Sequence, residues 1–470
     1  MESGINRRTI LCLLSLIQFI EGWLGTVVVP LLPLMVRQFP ADRALSEDET
    51  QYSNNVKVGM IGSAFFLAAM AAAVVWGWVS DRFGRRPTLL FGIAGSALGI
   101  FLFGCSRDFG SALFAYTFTG AFSSNISITK SYIAEISSEH DQAQAFASVC
   151  MMYGLAQLVA PMAGGLLAGV CRIESLNIVD LPYAFLVSAV SAVLVLVTLV
   201  VCAIWLPESP AFAGRDAIGA KCVEMAVLAG KDATPLDPVQ FPMHFRLNSD
   251  LLTMIVNYGI LALIEIALTE LLAIFCESTR ASGGLGLSSY DVGNIFAIEG
   301  IVLILYQGLI YRYIAKCISA LRCFRSSCFL LVLLAPLPWL ARYFSSYTMW
   351  FLSISLSLRT IPEATAYTSA NILIANASPD HMRGLVNGLA SATASAGRAV
   401  APLLISLVWA SSSSRRMGWI PFVIVSNCAV ILAVLSLRIG RNRKRSPERK
   451  ATSCDSDDEN STEPLVSIQL

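Results

Sequence analysis

Glu21, Lys130, Glu265, Glu270, Glu299, Arg359 and Glu363 each stand inside a long apolar stretch of this 470-residue chain. A charged group in hydrocarbon is expensive, so such residues persist where they face a water-filled space, a partner charge or a moving ion. Carboxyl groups in that setting suit the loading and release of a proton once per working cycle. Glu21 and Glu270 lead the proton-carrying candidates, with Glu265 and Glu299 beside them; Glu21 has no basic neighbour in its own stretch. Arg359 precedes Glu363 by one helical turn and could balance it, balance an acid on a facing helix, or bind an anionic group of the solute; a static buried ion pair is the plainer reading. Lys130, Arg359, Glu363 and Tyr116 are the candidate solute contacts, and Trp23, Tyr258 and Tyr306 are further aromatic candidates for the same wall. No nucleophile with its base, phosphate-binding loop or cluster of metal ligands is visible. Neither an enzyme nor a cofactor or metal is expected.

A second constellation runs Gly77-Trp78-Val79-Ser80-Asp81-Arg82-Phe83-Gly84-Arg85-Arg86, between two apolar runs. One acid, three arginines and two glycines cannot lie in hydrocarbon, so the segment marks a tight turn at a membrane face. Gly77 lets helices approach closely and Gly84 permits the sharp turn. Asp81 is expected to pair with an arginine or to cap a helix N-terminus in the other half of the molecule, holding one face closed. Arg82, Arg85 and Arg86 are expected to pair with acids at that surface or with anionic headgroups. A loop that set topology alone would need neither the acid nor both glycines. A third constellation is Ala160-Pro161-Met162-Ala163-Gly164-Gly165, flanked by Gly154 and Gly169. Pro161 removes a helix hydrogen bond and bends its span, while Gly164 and Gly165 offer a smooth face on which another helix can rock. Generic small-residue packing is the plainer reading of the same residues. Pro30, Pro33 and Pro362 are expected to kink helices around a central cavity.

The elements that must position these groups are membrane helices. The chain is 55% hydrophobic and 14% charged, with a mean hydropathy of +0.65, whereas soluble domains carry about 25% charged residues. Given that a spanning helix needs roughly 20 apolar residues, twelve spans are expected at 10–36, 57–79, 88–105, 111–133, 145–170, 183–206, 251–275, 292–311, 323–341, 347–372, 384–409 and 418–438. The first run lacks a small-residue cleavage site and continues past signal-peptide length, so it is expected to be a retained helix. Only a few residues precede it. Placing both termini in the cytoplasm puts most of the basic residues, among them Arg7, Arg8 and the run Arg441 to Lys450, on the inner side. The expected organisation is an N-terminal six-helix bundle over 1–206, a proline-containing cytoplasmic linker over 207–250, a C-terminal six-helix bundle over 251–440 and a disordered tail over 441–470. In that tail Ser453 and Ser456 sit beside acids. The halves resemble each other: the Gly77–Arg85 pattern has a degenerate echo at Gly308-x-x-x-Arg312-Tyr313-x-Ala315-Lys316. Glu139-His140 and Ala160-Pro161 recur as Asp380-His381 and Ala401-Pro402 at one common offset. Such repetition points to duplicated halves related by an axis along the membrane normal. The 12 cysteines show no Cys-x-x-Cys, and most lie in apolar runs, where they read as small hydrophobes.

The Gly-x-x-x-Asp-Arg-x-Gly-Arg-Arg string at 77–86 resembles the cytoplasmic signature of the major facilitator superfamily. The segment around Pro161 resembles the antiporter motif Gly-Pro-x-x-Gly-Gly, with Ala160 in place of the first glycine. Further stretches are similar to the zinc-induced-facilitator-like group of plants and the tetracycline/proton antiporters related to it. These are Val58 to Phe66, Trp76-Gly77, Lys130-Ser131-Tyr132 with Glu135-Ile136, and Trp205 to Ser209. In the second half they are Thr269-Glu270-Leu271, Arg383-Gly384 with Asn387-Gly388, and Ala399 to Pro402. The resemblance implies a twelve-helix fold and proton-coupled efflux of small organic or metal-chelating solutes, or cations, at a plasma or vacuolar membrane. The chain departs from that group in places. Its linker holds a single histidine, His244, where plant members tend to be histidine-rich, and it has three histidines in all. The arginine that many proton-coupled relatives carry in span four is replaced by Tyr116, while Arg359 supplies a charge at the related level of span ten.

The combined expectation is an all-α, multi-pass membrane protein of the major facilitator fold that moves a small solute by alternating access. Proton-coupled export is the favoured mode. Proton-independent facilitation, uptake by symport, or a transport-inactive receptor or scaffold are the alternatives. The expected partners are a small-molecule substrate, protons and the bilayer, with no nucleic acid and a monomeric state. No Pro-Glu-Ser-Pro-Arg-Trp string of the sugar-porter kind follows span six, where Pro210 precedes Ala211-Phe212.

Overall fold

A computed structural model describes residues 6–28, 31–39, 47–138, 141–171, 184–212, 248–280, 283–344, 347–413 and 417–440. Pro30, Glu139-His140, His244, most of the expected linker, and the expected tail with Ser453 and Ser456 lie outside the described residues. The elements in order are α1 (Arg7–Thr26), α2 (Leu32–Val36), α3 (Glu47–Phe83), α4 (Arg85–Gly104), α5 (Phe109–Phe122), α6 (Asn125–Ile136), α7 (Gln142–Cys171) and α8 (Phe185–Trp205). The second half holds α9 (Ser249–Glu277), α10 (Ser289–Leu305), α11 (Tyr311–Cys317), α12 (Ala320–Leu334), α13 (Thr348–Ala377), α14 (Arg383–Ser413) and α15 (Ile420–Ser436). No strand occurs among the described residues.

Among the described residues, nine helical stretches are long and apolar enough by themselves to cross a bilayer. The other three of the twelve expected crossings each have a physical reason to fall short. Span four is broken into α5 and α6 at Ser123 and Ser124. There Ser123 and Asn125 turn their side chains to the Glu21 carboxylate of α1, at 2.5 and 2.6 Å. Span ten, α13, carries Arg359 and Glu363 at its centre, and span twelve, α15, is 17 residues long. Span eight is also irregular. A π turn at Tyr306–Ile310 joins α10 to α11, and such turns concentrate at functional positions. Pro33 lies in the first turn of α2 rather than inside a helix, where its missing N–H has no cost. Pro161, Pro362 and Pro402 lie inside α7, α13 and α14.

Local chemistry sets the helix starts. Gly84 takes φ +103° between α3 and α4, a conformation that side chains resist. The Asp108 carboxylate accepts from the Ser111 amide at 2.9 Å to open α5, and that hydrogen bond holds the carboxyl below its ordinary proton affinity. Ser288 and Asp291 form the matching capping box on α10.

Apolar burial divides along the chain. One core gathers residues from Leu13 to Leu206, joined by Ile372 and Ala375, and a second gathers residues from Leu251 to Ile439. A small third cluster, Ala147 with Tyr306, Tyr311 and Ala364, crosses the seam. Inside the halves α1 packs on α7, α4 on α8, α9 on α14 and α12 on α13, while α3 and α14 pack across the seam. That contact depends on missing side chains. A Cβ on Gly77 would sit 2.3 Å from the Gly384 carbonyl oxygen, and one on Gly388 would sit 2.5 Å from that of Ala73.

Gly77→Leu is therefore expected to destabilise the protein by about 1–3 kcal/mol through overpacking, seen as a lower thermal midpoint. Gly59→Ala in the same helix, whose Cβ would meet nothing within 4 Å, is expected to hold or raise the midpoint.

Candidate functional site

Two assemblies lie on the seam, one closing it and one lining it. The closure is built on Asp81 at the end of α3. Its two carboxylate oxygens accept hydrogen bonds from the backbone amides of Gly384 and Leu385, at 2.9 and 2.8 Å. Those amides open α14, where unsatisfied N–H groups and the helix dipole favour negative charge. The expected cap of a helix in the other half is thus present. Arg85 backs it, donating to Asp81 at 2.7 Å, to Glu135 at 2.7 Å and to the Ser80 hydroxyl at 2.6 Å. Arg85 is 3% exposed, so two carboxylates and a hydroxyl stand in for water around it. Glu208 accepts from the Arg85 and Arg86 amides, at 2.8 and 3.2 Å, and so caps α4. Arg86 also donates to the Ala203 carbonyl at 2.7 Å. Arg82 points outward, its guanidinium over the rings of Trp78 and Phe83. Deeper along the same seam Asn387 donates to Ser131 at 3.0 Å.

Beyond this closure lies a cavity of about 550 Å³ between the halves. Gln18, Thr26, Phe66, Ser123, Lys130, Cys150, Tyr153, Gln157 and Pro161 line it from the first half. Tyr258, Glu265, Glu270, Phe296, Glu299, Gln307, Arg359, Glu363, Tyr367, Asn371 and Arg398 line it from the second. Its floor is the contact of the Lys130 ammonium with the Tyr258 hydroxyl, at 2.5 Å. Away from the Asp81 face its walls separate. Cβ atoms added to Gly25 or Gly293, both lining residues, would meet nothing within 4 Å.

The ionic groups on the walls fall into distinct arrangements. Arg359 is held by Glu299 at 2.6 Å and by Glu363 at 2.7 Å, and the Thr360 hydroxyl donates to Glu299 at 2.5 Å. Arg398 faces Glu265 at 3.4 Å, and the Tyr367 hydroxyl donates to the same Glu265 oxygen at 2.5 Å. Two residues stand apart. Lys130 makes no ion pair among the described residues; its partners are the hydroxyl and ring face of Tyr258. Glu270 lines the cavity with no hydrogen bond or ion pair among the described residues.

The structure brings Lys130, Glu265, Glu270, Glu299, Arg359 and Glu363 to one cavity. It leaves Tyr116 and Glu21 out. Tyr116 is 2% exposed in the core of the first half, its ring against Phe65 and Phe103. Glu21 sits behind the wall, accepting from Ser123 at 2.5 Å and Asn125 at 2.6 Å across the break in span four. Ser123 itself faces the cavity. Trp23 is likewise turned inward, donating to Ser191 at 3.0 Å. Tyr306, hydrogen bonded with Thr365, is buried on the seam. Pro161 lines the cavity. Gly164 is buried, a Cβ on Gly165 would meet nothing within 4 Å, and close approaches along α7 occur at Gly154 against Leu303, at Leu158 against Gly300 and at Ala156 against Gly22. Sequence reasoning passed over Arg398, although it lies inside an expected span and obeys the rule that singled out Arg359. Gln18, Gln307, Tyr367 and Asn371 carry no comparable signal, because uncharged polar residues are common in membrane helices.

A family model described as Major Facilitator Superfamily matches residues 14–276 and 251–468. A probable peptide/nitrate transporter of Arabidopsis thaliana is 27% identical over 422 residues, covering 87% of this chain and 85% of its own. Protein ZINC INDUCED FACILITATOR 1 of the same plant is 27% identical over 375 residues, covering 77% and 76%. The human organic anion transporter MFSD10 superposes with a TM-score of 0.69 at 19% identity, over 92% of this chain and 100% of that one. At that identity the likeness is one of fold.

Arg359→Leu is expected to strand Glu299 and Glu363 and to cost about 3–5 kcal/mol, measured as a lowered thermal midpoint. Adding Glu299→Gln and Glu363→Gln to that variant is expected to restore most of the loss.

Proposed function

The chain belongs to the Major Facilitator Superfamily, whose members are transporters rather than enzymes, and from that premise we propose that it exports a small solute in exchange for protons. The observation that carries this reading is Glu270, a cavity acid with no protein partner among the described residues, on the unsealed side of a chamber closed by Asp81. A carboxylate already committed to an arginine gains little from a proton. One that stands alone in a chamber is the natural carrier.

In this cycle Glu270 takes a proton while the chamber is open on the far side. Protonation removes a charge from the wall, and the halves tilt. The Asp81 clasp parts from the start of α14, and the proton and solute exchange on the Asp81 side. Either half of the exchange resets the other. Glu265 and Glu299 are held by Arg398 and Arg359, so in this reading they change partner as the halves move and take a secondary part. Glu21 is screened from the chamber by Ser123, which favours Glu270 over Glu21 as the carrier. Pro161 on the cavity wall, with the small residues that follow it, supports the direction of export. The basic residues beside Asp81 support placing that face in the cytoplasm, with the protein in a plasma or vacuolar, lysosome-like membrane and working as a monomer. Arg359 and Glu363 act as solute contacts when their pair opens.

Proteoliposomes carrying the purified chain, an internal pH dye and a panel of solutes test the reading. An imposed pH gradient is expected to drive solute flux, and Glu270→Gln is expected to reduce that flux to the level seen without a gradient. Solute exchange without a gradient is expected to survive in the same variant, and Glu21→Gln is expected to keep the gradient-driven component. Gradient-driven flux that persists in Glu270→Gln removes that residue as the carrier; its absence from the wild type across the panel favours proton-independent facilitation.

A further inference from the structure

Lys130 is 6% exposed, lies on the cavity floor and makes no ion pair among the described residues. An ammonium has three N–H donors, and the Tyr258 hydroxyl takes one at 2.5 Å, with the Tyr258 ring centroid 4.5 Å away. The other cavity cations are already neutralised. Arg359 holds two glutamates and Arg398 holds one. Burying a cation without a counter-ion is strongly unfavourable unless something else supplies the missing charge. No carboxylate pairs with it directly: Glu265, whose charge reaches Lys130, is held by Arg398 and Tyr367, and Glu270, the cavity-lining carboxylate without an ion pair among the described residues, is twelve residues along α9 from Tyr258 and so about 18 Å away along the helix axis.

We propose that Lys130 and Tyr258 form the seat for the anionic group of the transported solute, an organic anion with an apolar body. The counter-ion that completes Lys130 is then the cargo itself. The body follows from the chamber walls, which Tyr153, Tyr258, Tyr367 and Phe296 help to line, the Tyr367 ring lying 5.6 Å from that of Tyr258. The cavity volume of about 550 Å³ falls in the range that holds small organic ligands. This assignment rests on the exchanger reading and names the cargo of the same chamber. It also gives the loaded floor a function in the cycle. Lys130 belongs to the first half and Tyr258 to the second, so an anion seated there touches both halves and is gripped until they part.

The test uses the full chain in lipid nanodiscs with three aromatic carboxylates, benzoate, salicylate and 1-naphthoate, each paired with its neutral amide, and benzylamine as the cation. Titration calorimetry is expected to show at least one carboxylate binding about tenfold or more tighter than its amide, the step a single charge contact supplies, with benzylamine weakest. Lys130→Met is expected to erase the preference of carboxylate over amide, and Lys130→Arg to keep it. The unliganded Lys130→Met protein is expected to melt at or above the wild-type temperature, since a buried cation has been removed; a merely structural lysine would lower it. Lys130→Gln gives the same reading should the methionine variant fail to fold. A wild type that prefers no carboxylate over its amide overturns the proposal, and so does a Lys130 variant that keeps the preference. The two readings fail separately. Gradient-driven flux without an anion preference removes the seat and leaves the exchanger, whereas an anion preference without gradient-driven flux does the reverse.

Discussion

The closed arrangement of the two halves hangs on one carboxylate. Asp81, at the last turn of α3, receives the amides of Gly384 and Leu385 at the first turn of α14. Charge-assisted hydrogen bonds of this kind are about twice as strong as neutral ones, and here the helix dipole adds to them. They form only if the two backbones come close, which is why glycine stands at 77, 384 and 388. They hold only if Asp81 is fixed in place, which Arg85 does while Glu135 balances its charge. The closure is therefore strong in one geometry and absent when α3 and α14 separate by a few ångströms. Interactions with that dependence give a molecule two states rather than a continuum.

The cavity shows the complementary design. Its paired groups, Arg359 with Glu299 and Glu363 and Arg398 with Glu265, all come from the second half. They form a charged wall whose ion pairs all lie inside the second half, with the Tyr153 ring of the first half over Arg398. The exceptions are Lys130 and Glu270. Lys130 reaches across the seam to Tyr258, and Glu270 waits nearer the opening. Groups whose electrostatic needs are met inside one half travel with it, and groups whose needs are met by cargo or by a proton report what the chamber holds.

Much of this was legible in the chain. The ten-residue string at 77–86 carried enough special chemistry to foresee a helix cap across the seam, because an acid flanked by two glycines has no use in a loop that only sets topology. Hydropathy located the spans, since bilayer thickness imposes a length. It could not assign faces. A stretch such as α5 is apolar on every side, so the sequence offers no way to see that Tyr116 turns into the core toward Phe65. Glu21 was read as a proton-carrying acid from its place in an apolar stretch, yet whether such an acid faces a cavity or a neighbouring helix depends on the break at Ser123 and Ser124, which hydropathy smooths over. Arg398 was legible by the rule that found Arg359. The π turn at Tyr306–Ile310, which contains Gln307 and the seam residue Tyr306, has no pattern of its own in sequence.

The central claim is that the halves tilt as units about a chamber, so that sealing one face unseals the other. Electron–electron resonance distances between spin labels measure it directly, with one pair at Gln144 and Lys316 on the Asp81 side of α7 and α11, and a second at Met162 and Gly293 on the opposite side of α7 and α10. The account predicts that the wild type shows a short first distance and a long second one, and that Asp81→Ala shifts population toward a long first distance and a short second one together. Distances that stay fixed in the variant, or that lengthen on both sides at once, would contradict it.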